Sequence, residues 1–134
     1  MPYAGETDGP CGASMARVST EKINGDLGPL TDRLATIGDL NCAASVLAWD
    51  RQTYMPEGGV RSRAEQLASL ARVAHEMLVS PETGELLERA GERELESDAG
   101  ALLRLARRQH DRAVRLPPRL VAETSRATAL AEQA

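Results

Sequence analysis

Among the residues able to hold a metal or move a proton, His75 and Glu76 come nearest to a pattern with known chemistry. A His, a Glu and a second His one turn on would set two imidazoles and a general base on one helix face, an arrangement that holds zinc and activates water. Here the stretch runs His75-Glu76-Met77-Leu78-Val79, so an aliphatic residue stands where the second imidazole is required. The remaining soft or imidazole ligands are His110, Cys11 and Cys42, and none is spaced as a partner. His75 therefore reads as a packed or partly exposed helix histidine. No residue of the chain is assigned a catalytic, cofactor-binding or metal-binding role.

Two charge runs offer other chemistry. Glu82, Glu85, Glu88, Glu92, Glu94, Glu96 and Asp98 bring carboxylates together, but without the tight loop and central glycine of an oxygen-ligand cation site, and they read as a solvated acidic face. Arg104, Arg107, Arg108, Arg112, Arg115 and Arg119 are opposite in sign, and 104, 108, 112 and 115 share one side of a helix. Such a stripe neutralises phosphates in nucleic-acid binders. Aromatic side chains for base stacking are missing beside it, Asp111 interrupts it, and the neighbouring acidic segment is available to pair with it. Nucleic acid is the disfavoured partner. Arginine also far outnumbers lysine, of which Lys22 is the single example.

The strongest local pattern is Trp49-Asp50-Arg51-Gln52-Thr53-Tyr54-Met55-Pro56-Glu57-Gly58-Gly59, running on to Arg61, Arg63, Glu65, Gln66 and Leu67. An apolar run ends at the chain's one Trp, Pro56 forbids a continuing helix, and Gly58-Gly59 admit backbone angles closed to other residues. This predicts a corner between two helices. Trp49 is expected to pack where they meet, Asp50 to cap or turn the chain while pairing with Arg61 or Arg63, and Met55 to fill an irregular gap.

The same stretch resembles the N-terminal signature of the M32 zinc metallocarboxypeptidases, the carboxypeptidase Taq type, in the form W-D-x-x-T-x-M-P-x-G-G followed by R-x-x-Q-L-A. Ala68 to Ser80, Pro81 to Arg89 and Leu116 to Glu123 are similar to what that family carries in the same order, so the resemblance covers roughly residues 30 to 134. It implies the opening part of a much larger fold. The family's zinc ligands lie downstream, in a His-Glu-x-x-His helix with a further Glu, and this sequence carries no such motif. By resemblance, the complete enzyme removes C-terminal amino acids from peptides with metal-activated water and a Glu as base. Peptide substrate and zinc are thus expected only of a complete enzyme, with this segment a cap or wall beside the substrate groove.

The elements that must position these residues are helical. Residues 1–28 are rich in Gly, Pro and small polar types without periodicity and read as a flexible tail, within which Met15 is a second candidate start beside Met1. Residues 29–134 read as one helical segment. Leu34, Ile37, Leu40, Ala44 and Leu47 form a stripe predicting a helix over about 31–48, with Thr31 as N-cap; Ala64, Leu67, Leu70, Ala71, Ala74 and Leu78 predict a second over about 60–79. Ser80-Pro81 opens a third, to about 92. A fourth starts near Ser97-Asp98, carries Leu102, Leu105, Ala106, Gln109, Ala113 and Leu116, and ends at Pro117-Pro118; the fifth runs from about 118 towards the end. No β-alternation occurs. The fold class is all-α, about five helices in an antiparallel hairpin or bundle.

Composition narrows the function classes. Phe is absent and aromatic residues are 2% of the chain, so the core is built from aliphatic contacts and should be marginal alone. A formal charge of −4 and a pI near 5.2 give no drive toward nucleic acid or anionic membrane. No apolar run approaches the roughly 18 residues of a membrane span and no secretory h-region is present, so a cytoplasmic protein with reduced Cys11 and Cys42 is expected. Two functional classes follow. One is the N-terminal segment of an M32-like carboxypeptidase, completed by a C-terminal catalytic part. The other is a free helical module that binds protein, including a second copy as a homodimer, or nucleic acid through the Arg104–Arg119 face.

Overall fold

The computed structural model describes residues 27–91 and 98–132. They form five helices: α1 Gly28–Thr53, α2 Val60–Val79, α3 Pro81–Gly91, α4 Asp98–Ala113 and α5 Pro118–Ala131, with a single 3₁₀ turn at Glu57–Gly59 leading into α2. The described residues contain no strand, which agrees with the all-α expectation. None of these helices is long and apolar enough to cross a membrane. Residues 1–26 of the tail, including both candidate starts, lie outside the described residues, as do 92–97 and 133–134.

α1 is longer at both ends than its apolar stripe predicts. Leu27 is the N-cap and Pro29 stands in the first turn, where its fixed φ suits a helix and its missing N–H costs nothing. Thr31 is therefore inside the helix, and its hydroxyl donates back to the Leu27 carbonyl at 2.9 Å. At the other end, Asp50 to Thr53 are polar but carry the helix on past Trp49. It stops only where Tyr54 and Met55 both donate to the Asp50 carbonyl, at 3.0 and 3.1 Å, one residue before Pro56, whose ring disfavours a helical residue ahead of it.

The second and third helices fall where their patterns put them. Ser80 is extended at φ −63°, ψ 151°, its side chain accepts from the Thr83 N–H at 3.3 Å, and Pro81 follows at the first helical position. α4 ends at Ala113, not Leu116. Arg115 and Leu116 turn back onto Arg112 and Ala113 at 3.3 and 2.9 Å, so the chain leaves the helix before the proline pair.

α1 is the spine, and it meets two small cores. Leu30 and Leu34 at its start pack with Leu86, Leu87 and Ala90 of α3 and Leu103 and Ala106 of α4. Ala44, Leu47 and Ala48 further along pack against Ala64 and Leu67 of α2 and Ala129 of α5. Alanine makes up half of the buried apolar residues, so the helices approach closely while each contact removes little area from water. That is the aliphatic, modest core the composition predicts.

Polar side chains join the elements where apolar area is short. Arg33 of α1 reaches the α2–α3 junction: Nε donates to Thr83 Oγ1 at 2.6 Å, Nη2 to Ser80 Oγ at 2.8 Å, and Nη1 pairs with Glu82 at 2.6 Å. Thr83 is fully buried and itself donates to the Met77 carbonyl at 2.7 Å. The cap of α3 and the end of α2 are thus tied to α1 by one guanidinium.

Candidate functional site

The corner from Trp49 to Arg63 carries the pattern singled out in the sequence. Asp50, Arg51 and Arg63 are turned into the fold, while Glu57 and Arg61 are exposed. Asp50 pairs with Arg63 across the corner at 2.6 Å, the second of the two partners expected for it. Arg51 crosses from α1 to the last turn of α5, where Nη1 donates to the Ala129 carbonyl at 2.7 Å and Nη2 pairs with the Glu132 carboxylate. Only 5% of the Arg51 side chain is exposed. It lines an open groove of about 360 Å³ between α1, α2 and α5, floored by Ala48, Leu67 and Ala129.

The aromatic residues point outward, which corrects one expectation. Trp49 does not pack between the helices: it is 58% exposed, and its ring meets Tyr54, 80% exposed, edge-on at 6.0 Å. The reason lies in the extra turn of α1. With the helix running on to Thr53, the inward positions are Leu47, Ala48 and Arg51, and position 49 falls on the opposite side. A second correction concerns the glycines. Neither adopts a left-handed backbone, and Gly58 faces open space. At Gly59, φ −83°, a Cβ would sit 3.1 Å from Met55 Cγ, so a larger residue there would push the Met55 side chain by a few tenths of an ångström. Met55 does fill the gap in the corner, packed against that glycine.

The remaining sequence candidates are scattered. His75 is buried on α2, with Nε2 2.8 Å from the Leu116 carbonyl, so its ring anchors the α4–α5 connection. His110 lies elsewhere, beside Gly84 and 3.8 Å from Asp111. Among the described residues no group of three or more His, Cys, Asp or Glu is placed to hold a metal ion. With Val79 following on the same helix face, the described residues around His75 do not fit a zinc ion. The expectation of reduced thiols fails at Cys42, which is disulfide-bonded. It sits half-buried in mid-α1, and a bridge requires only the local approach of two Cβ atoms, not a wider framework. Cys11 lies outside the described residues.

The charge runs are divided. Glu82 serves Arg33, Glu85 and Glu88 are exposed on α3, and Glu92, Glu94 and Glu96 lie outside the described residues. Arg107 donates to the Leu87 carbonyl of α3 at 2.9 Å, and Arg119 pairs with Glu123 along α5 at 2.7 Å. Arg104, Arg108, Arg112 and Arg115 are exposed. Between α2 and α5, Arg126 grips Glu65 with two bonds of 2.7 and 2.8 Å. These bonds hold the Glu65 carboxyl below its ordinary range and the Arg126 guanidinium above its own.

The family model for the carboxypeptidase Taq (M32) metallopeptidases matches residues 29–134, which takes in all of the described residues but the first two. The chain belongs to the M32 metallopeptidase family. It is 37% identical over 106 residues to thermostable carboxypeptidase 1 of Thermus thermophilus, covering 76% of this chain and 20% of that protein. It is 34% identical over 93 residues to thermostable carboxypeptidase 1 of Pyrococcus furiosus, covering 69% of this chain and 19% of that protein. No solved structure matches. The M32 chain therefore spans about one fifth of the length of the curated relatives it matches.

Sequence reasoning missed Arg51 and Arg33, the side chains that hold this M32 segment together. A signal for Arg51 was present. It extends the stripe Ile37, Leu40, Ala44, Leu47 by one more helical step, and a charged residue at an inward position announces a buried partner.

Proposed function

We propose that this chain acts as the N-terminal helical segment of an M32 carboxypeptidase, forming a wall of the peptide-binding region without supplying ligands or catalytic groups. The observation that carries the reading is the family match over residues 29–134 together with its extent, about one fifth of each relative. The site geometry supports it. His75 is committed to the Leu116 carbonyl, and Asp50, Arg51 and Arg63 of the corner are used in tying α1 to α2 and α5. In this reading the complete enzyme removes C-terminal residues from peptides in the cytoplasm, with zinc held by residues outside this chain. The full chain, supplied with zinc and a blocked peptide, should release no C-terminal amino acid; release above the rate of zinc alone would overturn the assignment.

A second reading rests on one observation. Arg104, Arg108, Arg112 and Arg115 lie exposed with no ion-pair partner among the described residues, as a free interaction module would present them. That module would hold short duplex DNA in dilute salt and lose it as salt rises. No retention at low salt would remove nucleic acid as its partner.

A further inference from the structure

Among the described residues the exposed large apolar side chains include an aliphatic group at the α4–α5 connection, Val114, Leu116 and Leu120, and one strip that carries the exposed aromatic rings. Val46 and Trp49 stand three residues apart on one side of α1, 64% and 58% exposed, and Tyr54 meets the Trp49 ring just beyond. Ala43 and Thr53 extend the strip along the same side of the helix. Two of the three aromatic residues in the entire chain are therefore turned outward at one corner.

The strip is also free of charge in its interior. Asp50 and Arg51, which flank it in sequence, are turned away from it to Arg63 and to the end of α5. This contrasts with α4, whose outer side carries arginines. A neutral strip with Trp and Tyr at its centre has the composition of an interface core, where those two side chains carry most of the binding energy. What lies beyond the matched region supplies the occupant: about four fifths of the Thermus relative has no counterpart in this chain.

We propose that the Val46–Trp49–Tyr54 strip is the seam on which this segment docks against the remaining body of the M32 fold. The proposal rests on the reading of the chain as the opening part of an M32 enzyme. It adds which face meets the rest, and it makes Trp49 a positioning residue at that seam.

The test is hydroxyl-radical footprinting read residue by residue by mass spectrometry. The full chain is compared with the same chain joined at Ala134 to the part of Thermus thermophilus thermostable carboxypeptidase 1 that follows the matched region. Oxidation of Trp49 and Tyr54 should fall several-fold in the joined protein while Leu105 on α4 stays as reactive as before. The double variant Trp49→Ala, Tyr54→Ala should leave the melting of the chain alone unchanged and lower that of the joined protein. Equal oxidation of both rings in a joined protein that folds and releases C-terminal residues would overturn the seam and leave the family reading standing. Protection that grows with concentration in the chain alone would assign the strip to a second copy and overturn the proposal. If the joined protein does not fold, the Thermus part is produced separately and mixed with the full chain for the same footprint; absence of any protection there counts against both readings.

Discussion

Arg51 shows how one side chain sets the geometry of the corner. A guanidinium at an inward position of α1 must find acceptors, and it finds them at the end of α5, in the Ala129 carbonyl and the Glu132 carboxylate. Replacing it with Ala removes one bond to a carbonyl and one charge-assisted bond to the half-exposed Glu132 carboxylate, at a cost of about 1–2 kcal/mol, since water in the open groove can reach what is left. Urea unfolding of Arg51→Ala should show the midpoint moving down without a change of slope. Arg51→Lys should recover only part, since an ammonium cannot reproduce the fork. At this scale the sequence was legible for Asp50, Met55 and His75, whose roles follow from position on a helix. It misleads for Trp49 because the apolar stripe predicts a helix that stops at about 48; once α1 runs on, the phase that turns Leu47 and Arg51 inward turns position 49 outward.

Helix boundaries set by proline and serine were readable because their causes are local. Ser80-Pro81 and Pro117-Pro118 act through their own rings and hydroxyls, and α2, α3 and the start of α5 fall close to the expected positions. The run of α1 past Trp49 and the early end of α4 were not, since Arg51 finds its acceptor on α5 and Leu116 is held by His75 of α2. Ser80 bears on two elements, as the cap of α3 and as an acceptor for Arg33. Ser80→Ala should cost about 1–2 kcal/mol, and faster amide exchange should be confined to the first turn of α3. The link between α2 and α5 has a pH signature. The Glu65 carboxyl is held below its ordinary range by Arg126, so its contribution is present above the unfolded value and fades as the pH falls through the folded one. Glu65→Gln should therefore melt slightly below the parent at neutral pH. The two curves should coincide in strong acid, where both carry a neutral side chain; a gap that persists there would rule out the ion pair as its source.

On the scale of the molecule, two small cores share one long helix, and polar clamps make up for little apolar area. That balance is what a segment of a larger fold would show, with an outward strip at Trp49 awaiting cover. All-α architecture and family membership were legible because helical stripes and the corner motif are carried in short windows of sequence. The coupling of α1 to α5 through Arg51, and of α1 to α3 through Arg33, joins residues separated by 78 and 50 positions, and no local pattern announces such pairs. The measurement that bears most directly on the central claim is peptide cleavage by the full chain joined to the remainder of the Thermus enzyme. If this chain is the N-terminal segment of an M32 carboxypeptidase, the joined protein releases C-terminal residues from a blocked peptide and loses that activity when zinc is chelated. A joined protein that folds and takes up zinc yet releases nothing would contradict the account.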